Sequence, residues 1–113
     1  MENCIFCKIV RGEIQAEKVY EDENTIGFLD IHPKAPGHTL LIPKDHHRWF
    51  LDLPDNTYNA LFSAAKTLGL KLKNDYDADY VRLGIVGTDV AHVHVHLIPL
   101  HIQENKSEGL DQV

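Results

Sequence analysis

The stretch "HVHVHLIP", residues 92–99, sets three histidines at alternate positions along a short apolar run. In an extended strand successive side chains point to opposite faces, so His92, His94 and His96 share one side and Val93, Val95 and Leu97 the other. The valine side is the natural core face. On the histidine side neighbouring imidazoles start about 6.6 Å apart, a spacing that can line a small anion or converge on one ion. A solvated polar row would account for a single histidine. Three in alternation, with another at His38, point to chemistry, because each buried imidazole would bring a polar edge that needs a partner.

Working outward, the preceding "ADYVRLGIVGTDVA" predicts a strand over 80–86, joined tightly around Gly87, Thr88 and Asp89 to a strand over 91–98. Further back, "EKVYEDENTIGFLDI" has two apolar runs around Glu21, Asp22, Glu23 and Asn24, which predicts a hairpin with strands near 18–20 and 25–29. Pro33, Pro36 and Gly37 punctuate the chain before "TLLIP", a buried strand ending at Pro43. From Pro54 onward Tyr58, Leu61, Phe62, Ala65, Leu68 and Leu72 recur at helical spacing. Asp55 near the start and Lys66, Lys71 and Lys73 toward the end suit the helix macrodipole. A shorter helix is expected around 3–11. The pattern predicts an α+β fold: a mainly antiparallel five-stranded sheet with one long and one short helix.

At 113 residues the chain has room for one domain, 1–113, with a polar tail over 103–113. Hydrophobic residues at 43% and charged residues at 25% are ordinary for a globular protein, and a net charge of -6 argues against coating a nucleic-acid polymer. No apolar run reaches membrane-spanning length and no secretory leader is evident, so a cytoplasmic location without membrane association is the expectation. Cys4 and Cys7, two residues apart in between, have the gap of a zinc half-site that histidines can complete.

For the histidine run itself, two chemistries remain open on residue type alone. Two of the histidines could bind a catalytic zinc carrying a water. Alternatively, a neutral imidazole could attack phosphorus while its neighbours orient it and move protons.

The run has the form His-apolar-His-apolar-His-apolar-apolar and resembles the histidine triad (HIT) family. "CIFCKIVRGEI", "VYEDENTIGFLDIHPKAPGHTLLIPKDH" and "VAHVHVHLIP" extend the resemblance to the branch of Hint-type nucleotide hydrolases, over roughly residues 3 to 100. The resemblance implies a hydrolase or transferase that binds purine nucleotides such as AMP derivatives. It would cleave at the α-phosphorus of a nucleoside phosphoramidate or dinucleoside polyphosphate, through a nucleotidyl-histidine. It makes His94 the nucleophile, His96 the group that contacts phosphate and assists the leaving group, and His38 their support. It assigns phosphate contacts to the main chain at Thr88, Asp89 and Val90, ribose contacts to Asp30, and a base pocket to Ile5, Phe6, Ile9, Phe28 and Ile31. It also implies a structural zinc held by Cys4, Cys7, His46 and His92, no organic cofactor, and a homodimer. The alternatives are a zinc-dependent hydrolase and a non-catalytic nucleotide-binding regulatory protein.

One departure from the family pattern stands out. The segment before the triad is shortened to "RLGIVGTDVAH", without clear counterparts of the family's phosphate-contacting asparagine and glutamine. Asp89 puts a carboxylate where anionic phosphate is expected, so its side chain must point away or bind something else.

Overall fold

In the computed structural model, which describes residues 3–102, a short helix α1 (Ile5–Val10) precedes strands β1 (Lys18–Glu21), β2 (Thr25–Leu29) and β3 (Thr39–Pro43). A 3-10 turn (Phe50–Asp52) leads into the long helix α2 (Asp55–Asp75), followed by β4 (Tyr80–Ile85) and β5 (Val95–Leu100). The five strands form one sheet in the order β1-β2-β3-β5-β4, every neighbouring pair antiparallel. This is the α+β architecture that the sequence pattern predicts. The polar tail over 103–113 lies outside the described residues. Among those described, no helix is long and apolar enough to cross a membrane.

Strand alternation sends side chains to two separate cores. Leu41 of β3 joins Val93, Val95 and Leu97 against the buried stripe of α2, formed by Leu61, Ala64, Ala65, Leu68 and Leu72. Leu40 and Ile42 point the other way and pack with Ile26, Phe28 and Phe6 of α1. The helices therefore cover opposite faces of the sheet, and the histidines lie on the α1 side. Gly27 lets α2 approach closely: a Cβ there would lie 2.9 Å from Leu68 Cδ2. Gly37, with φ of +89°, turns the chain into β3 directly beneath the Tyr76 ring at the end of α2.

Two local expectations need correction. The final strand begins at Val95 rather than 91, and the link from β4 is a longer loop over 86–94 rather than a tight turn. The ladder between β4 and β5 stops at Ile85 opposite Val95, so the residues before it find other partners. The His92 N–H donates to the Val90 carbonyl at 2.9 Å and the Val93 N–H to the His47 carbonyl at 2.7 Å. Alternation nevertheless persists through this segment, because Val93 still enters the α2 core. The 3-10 turn, between Pro43 and Pro54, has no periodic signal in the sequence.

Candidate functional site

His38 enters β3 from the preceding loop, and His96 lies on β5, where it pairs with Leu40 of β3. Their rings meet across the strand pair, His38 Nε2 3.0 Å from His96 Nδ1. His94 sits one alternation earlier, its ring centroid 5.1 Å from that of His96. His38, His92 and His94 are almost completely buried.

Backbone partners fix which nitrogen of each neutral ring carries the proton. The Lys34 N–H donates to His38 Nδ1 at 3.0 Å, which leaves the His38 proton on Nε2. That proton is donated to His96 Nδ1, so His96 carries its own on Nε2. For His94, Nδ1 is 2.8 Å from the His92 carbonyl oxygen and must donate to it. The His94 Nε2 lone pair is thereby left free, and this buried nitrogen makes no hydrogen bond. His92 is reversed: its Nε2 donates to the Pro43 carbonyl at 2.9 Å, which leaves Nδ1 as the bare nitrogen.

Electrostatics favour the neutral form of His92, His38 and His96. Burial pushes His92 down to about 4. Burial also lowers His38, against the pull of Asp30, and lowers His96, where the neighbouring His94 and His38 act in the same direction. The hydrogen bonds thus leave one directed nitrogen without a hydrogen-bond partner, His94 Nε2, beside one N–H, at His96 Nε2. That combination can attack an electrophile and supply a donor to it.

Asp30 accepts from the His32 N–H at 2.9 Å through Oδ1, and its Oδ2 lies 3.4 Å from His38 Nε2. The carboxylate expected to meet a ribose thus also faces the supporting histidine. Phe6 and Phe28 are buried edge-to-face at 5.6 Å, with Ile9 packed on the same cluster, and the Phe6 ring lies 5.1 Å from that of His94. Ile5 and Ile31 are exposed. Thr88 and Asp89 are exposed and Val90 half-buried in the loop before the triad. There the Asp89 carboxylate takes the Val90 N–H at 2.9 Å and stands 3.3 Å from His94 Nε2. Sequence reasoning missed the contacts of Asp30 with His38, of the Lys34 amide with His38 and of Asp89 with His94. No spacing signal encodes them; only the unexpected charge of Asp89 hinted at the last.

A second cluster joins the first through His92. Cys4 caps α1, its Sγ accepting from the Cys7 N–H at 3.4 Å, which turns both sulfurs the same way. His92 Nδ1 lies 3.5 Å from each sulfur, and His46 Nδ1 3.1 Å from Cys7 Sγ. One donor atom from each of Cys4, Cys7, His46 and His92 lies within 4.8 Å of the others. Sulfur and nitrogen on one tetrahedral metal ion would be about 3.5 Å apart, so the observed spacing suits an ion at the centre. Burial and the neighbouring Cys4 push the Cys7 thiol up to about 11, an arrangement that a divalent cation would reverse. The cluster can therefore hold a metal ion. The ligand atoms of Asp30, His38 and His96 also lie within 4.8 Å of one another, though His38 and His96 already use theirs in their mutual hydrogen bond.

Comparison with known proteins shows the family. An uncharacterized HIT-like protein of Methanocaldococcus jannaschii is 43% identical over 97% of this chain and 95% of its own. An adenosine 5'-monophosphoramidase of Saccharomyces cerevisiae is 42% identical over 85% of this chain and 61% of its own. The crystal structure of a zinc-bound histidine triad family protein from Mycobacterium smegmatis superimposes with a TM-score of 0.85 at 33% identity, covering 95% of this chain and 81% of that one. The HIT domain matches residues 11–102 and takes in His38, His46 and the whole triad, and the chain belongs to the HIT-domain family.

Proposed function

We propose that the protein is a Hint-like nucleoside phosphoramidase that transfers the nucleotidyl group of a purine substrate to His94 and then to water. The observation that carries this reading is the free Nε2 lone pair of His94, held in place by the Nδ1 hydrogen bond to the His92 carbonyl. A nucleophile needs that lone pair at neutral pH and in a fixed direction. In the first step the His94 Nε2–P bond forms as the bond from phosphorus to the leaving atom breaks, and that atom departs with a proton delivered through His96. Water then takes the place of His94 at phosphorus and returns a proton. The net reaction consumes one water and yields a nucleoside monophosphate and the free leaving group. The main chain at Thr88, Asp89 and Val90 is the candidate phosphate cradle, Asp30 the ribose acceptor, and Ile5, Phe6, Ile9, Phe28 and Ile31 the base-binding side. The adenosine 5'-monophosphoramidase relative supports an AMP-type substrate.

The Cys4, Cys7, His46 and His92 cluster is read as a structural zinc site. Four protein ligands leave no open position, so the ion would tie α1 to the triad segment and fix His92. A zinc hydrolase using His94 and His96 as ligands is disfavoured, because His94 belongs to neither group of described residues that could hold a metal ion. We also read the assembly as a homodimer through α2 and the outer edge of β4. An apolar groove of about 380 Å³, lined in part by Leu70, Val81 and Leu83, supports this on the face away from the histidines.

The test is AMP release from an adenosine phosphoramidate by wild type and by His94→Asn, each before and after metal removal. Wild type should release AMP in both states, and the variant should bind AMP without turnover. Unchanged turnover in the variant would remove His94 as nucleophile; loss of activity with the metal alone would favour metal catalysis.

A further inference from the structure

The side chain of Asp89 has no part in the reaction as described, yet it stands beside the unpartnered nitrogen of His94. Its Oδ1 stands 3.3 Å from His94 Nε2, a nitrogen that is buried and makes no hydrogen bond. Attacking atoms close to about 3–3.5 Å before a bond forms, so the carboxylate occupies the space that phosphorus must enter. It has to swing aside for substrate, and it can do so, because the Asp89 side chain is 65% exposed while that of His94 is 1% exposed. Its backbone stays in the loop leading to the triad, so the displaced carboxylate remains at the rim, beside whatever is attached to phosphorus.

The charges around this rim define what can be attached. Among the described residues Asp89 has no Lys or Arg partner. Arg48 stacks 4.5 Å above the Trp49 ring, and its Nη2 reaches the Gly87 carbonyl at 3.5 Å. Asp30 places a second carboxylate on the His38 side of the histidine row, where the Lys34 ammonium also acts, so that the uncompensated negative charge of the rim lies on the Asp89 side. The row is thus bracketed by two carboxylates, and the one beside His94 has no Lys or Arg partner among the described residues. Such a rim repels an anionic leaving group and attracts a cationic one, because charges a few ångströms apart interact strongly where water is partly excluded.

Resting on the phosphoramidase reading, we propose that the Asp89 side chain selects the leaving group, favouring an amine that carries a further ammonium over a carboxylate or polyphosphate. The main-chain amides of the loop hold the phosphoryl group, and the side chain reads the charge of its substituent. Asp89→Asn is the informative change, since the amide oxygen can still accept from the Val90 N–H and keep the loop's shape.

The experiment measures binding rather than turnover, by calorimetry on the full chain, with three AMP phosphodiesters that resist cleavage. They carry an aminoethyl, an ethyl or a carboxymethyl tail. Wild type should bind the aminoethyl ester at least tenfold more tightly than the carboxymethyl ester, with the ethyl ester between them. In Asp89→Asn the ratio should fall to about threefold or less, chiefly because the carboxymethyl ester binds more tightly. Equal binding of all three by wild type, or a ratio unchanged in the variant, would overturn the selection role and leave the nucleotide reading intact. If none of the three esters binds to wild type, both the selection role and the nucleotide reading fall.

Discussion

Three of the four histidines of this site owe their tautomer to one backbone atom each, and His96 takes its own from His38. The His92 carbonyl makes His94 a lone-pair donor, the Pro43 carbonyl does the reverse for His92, and the Lys34 amide sets His38. The second partner of each ring then follows, as expected where one ring nitrogen is fixed by a local contact. Keeping these rings neutral has a cost in acid. His92 is held down to about 4, so the unfolded chain binds its proton more readily whenever the pH lies between the ordinary value of 6.5 and that figure. Its stabilisation is complete above 6.5 and is lost as the pH falls toward 4, on the order of 3 kcal/mol. His38 and His46, lowered chiefly by burial, act with the same sign. Metal-stripped protein should therefore show a falling urea midpoint from pH 7 to pH 4.5, well before exposed carboxylates dominate. A flat midpoint across that window would contradict the neutral, buried state of His92.

At the level of elements, α1 is too short to be stable alone, and it docks through Phe6 and the Cys4 cap. If the cluster holds zinc, Cys4→Ser with Cys7→Ser should release about one metal per chain, as read by a colorimetric chelator, and lower the melting temperature. Native protein that copurifies without metal in chelator-free buffer would count against the site. On the opposite face the fit of α2 depends on what β2 lacks. Gly27→Val would drive side-chain atoms into Leu68 and should destabilise the fold by about 1–3 kcal/mol in a denaturant titration. Gly69→Ala, with open space around its added methyl group, serves as the control and should not lower stability.

Across the whole molecule the two faces divide the work: α1 and the histidines on one side, α2 and the main core on the other. Among the described residues the sheet ends in β4, whose outer edge has no neighbouring strand there, with Leu83 exposed beside the apolar groove and Leu70 across it on α2. Open edges and apolar patches of this kind are commonly covered by a second chain. Leu83→Asp should convert a dimer to a monomer in light scattering while AMP binding per chain is retained. A wild type that runs as a monomer at micromolar concentration would remove the dimer reading.

The sequence by itself determined the elements and the faces they bury. The alternation at 92–97, the apolar stripe of α2 and the punctuation at Pro33, Pro36 and Gly37 are local signals, carried by spacing and by fixed backbone preferences. The family motif likewise picked out the residues that now stand together as two clusters. Only the tertiary structure decided where β5 begins, because a strand exists only where a partner's ladder reaches it, and that ladder stops opposite Val95. It alone also decided which nitrogen of each imidazole meets a hydrogen-bond partner, and the position of the Asp89 carboxylate. Those depend on contacts between the 34–38 loop, the Pro43 carbonyl and the 86–94 loop, which lie far apart in the chain and leave no mark on spacing.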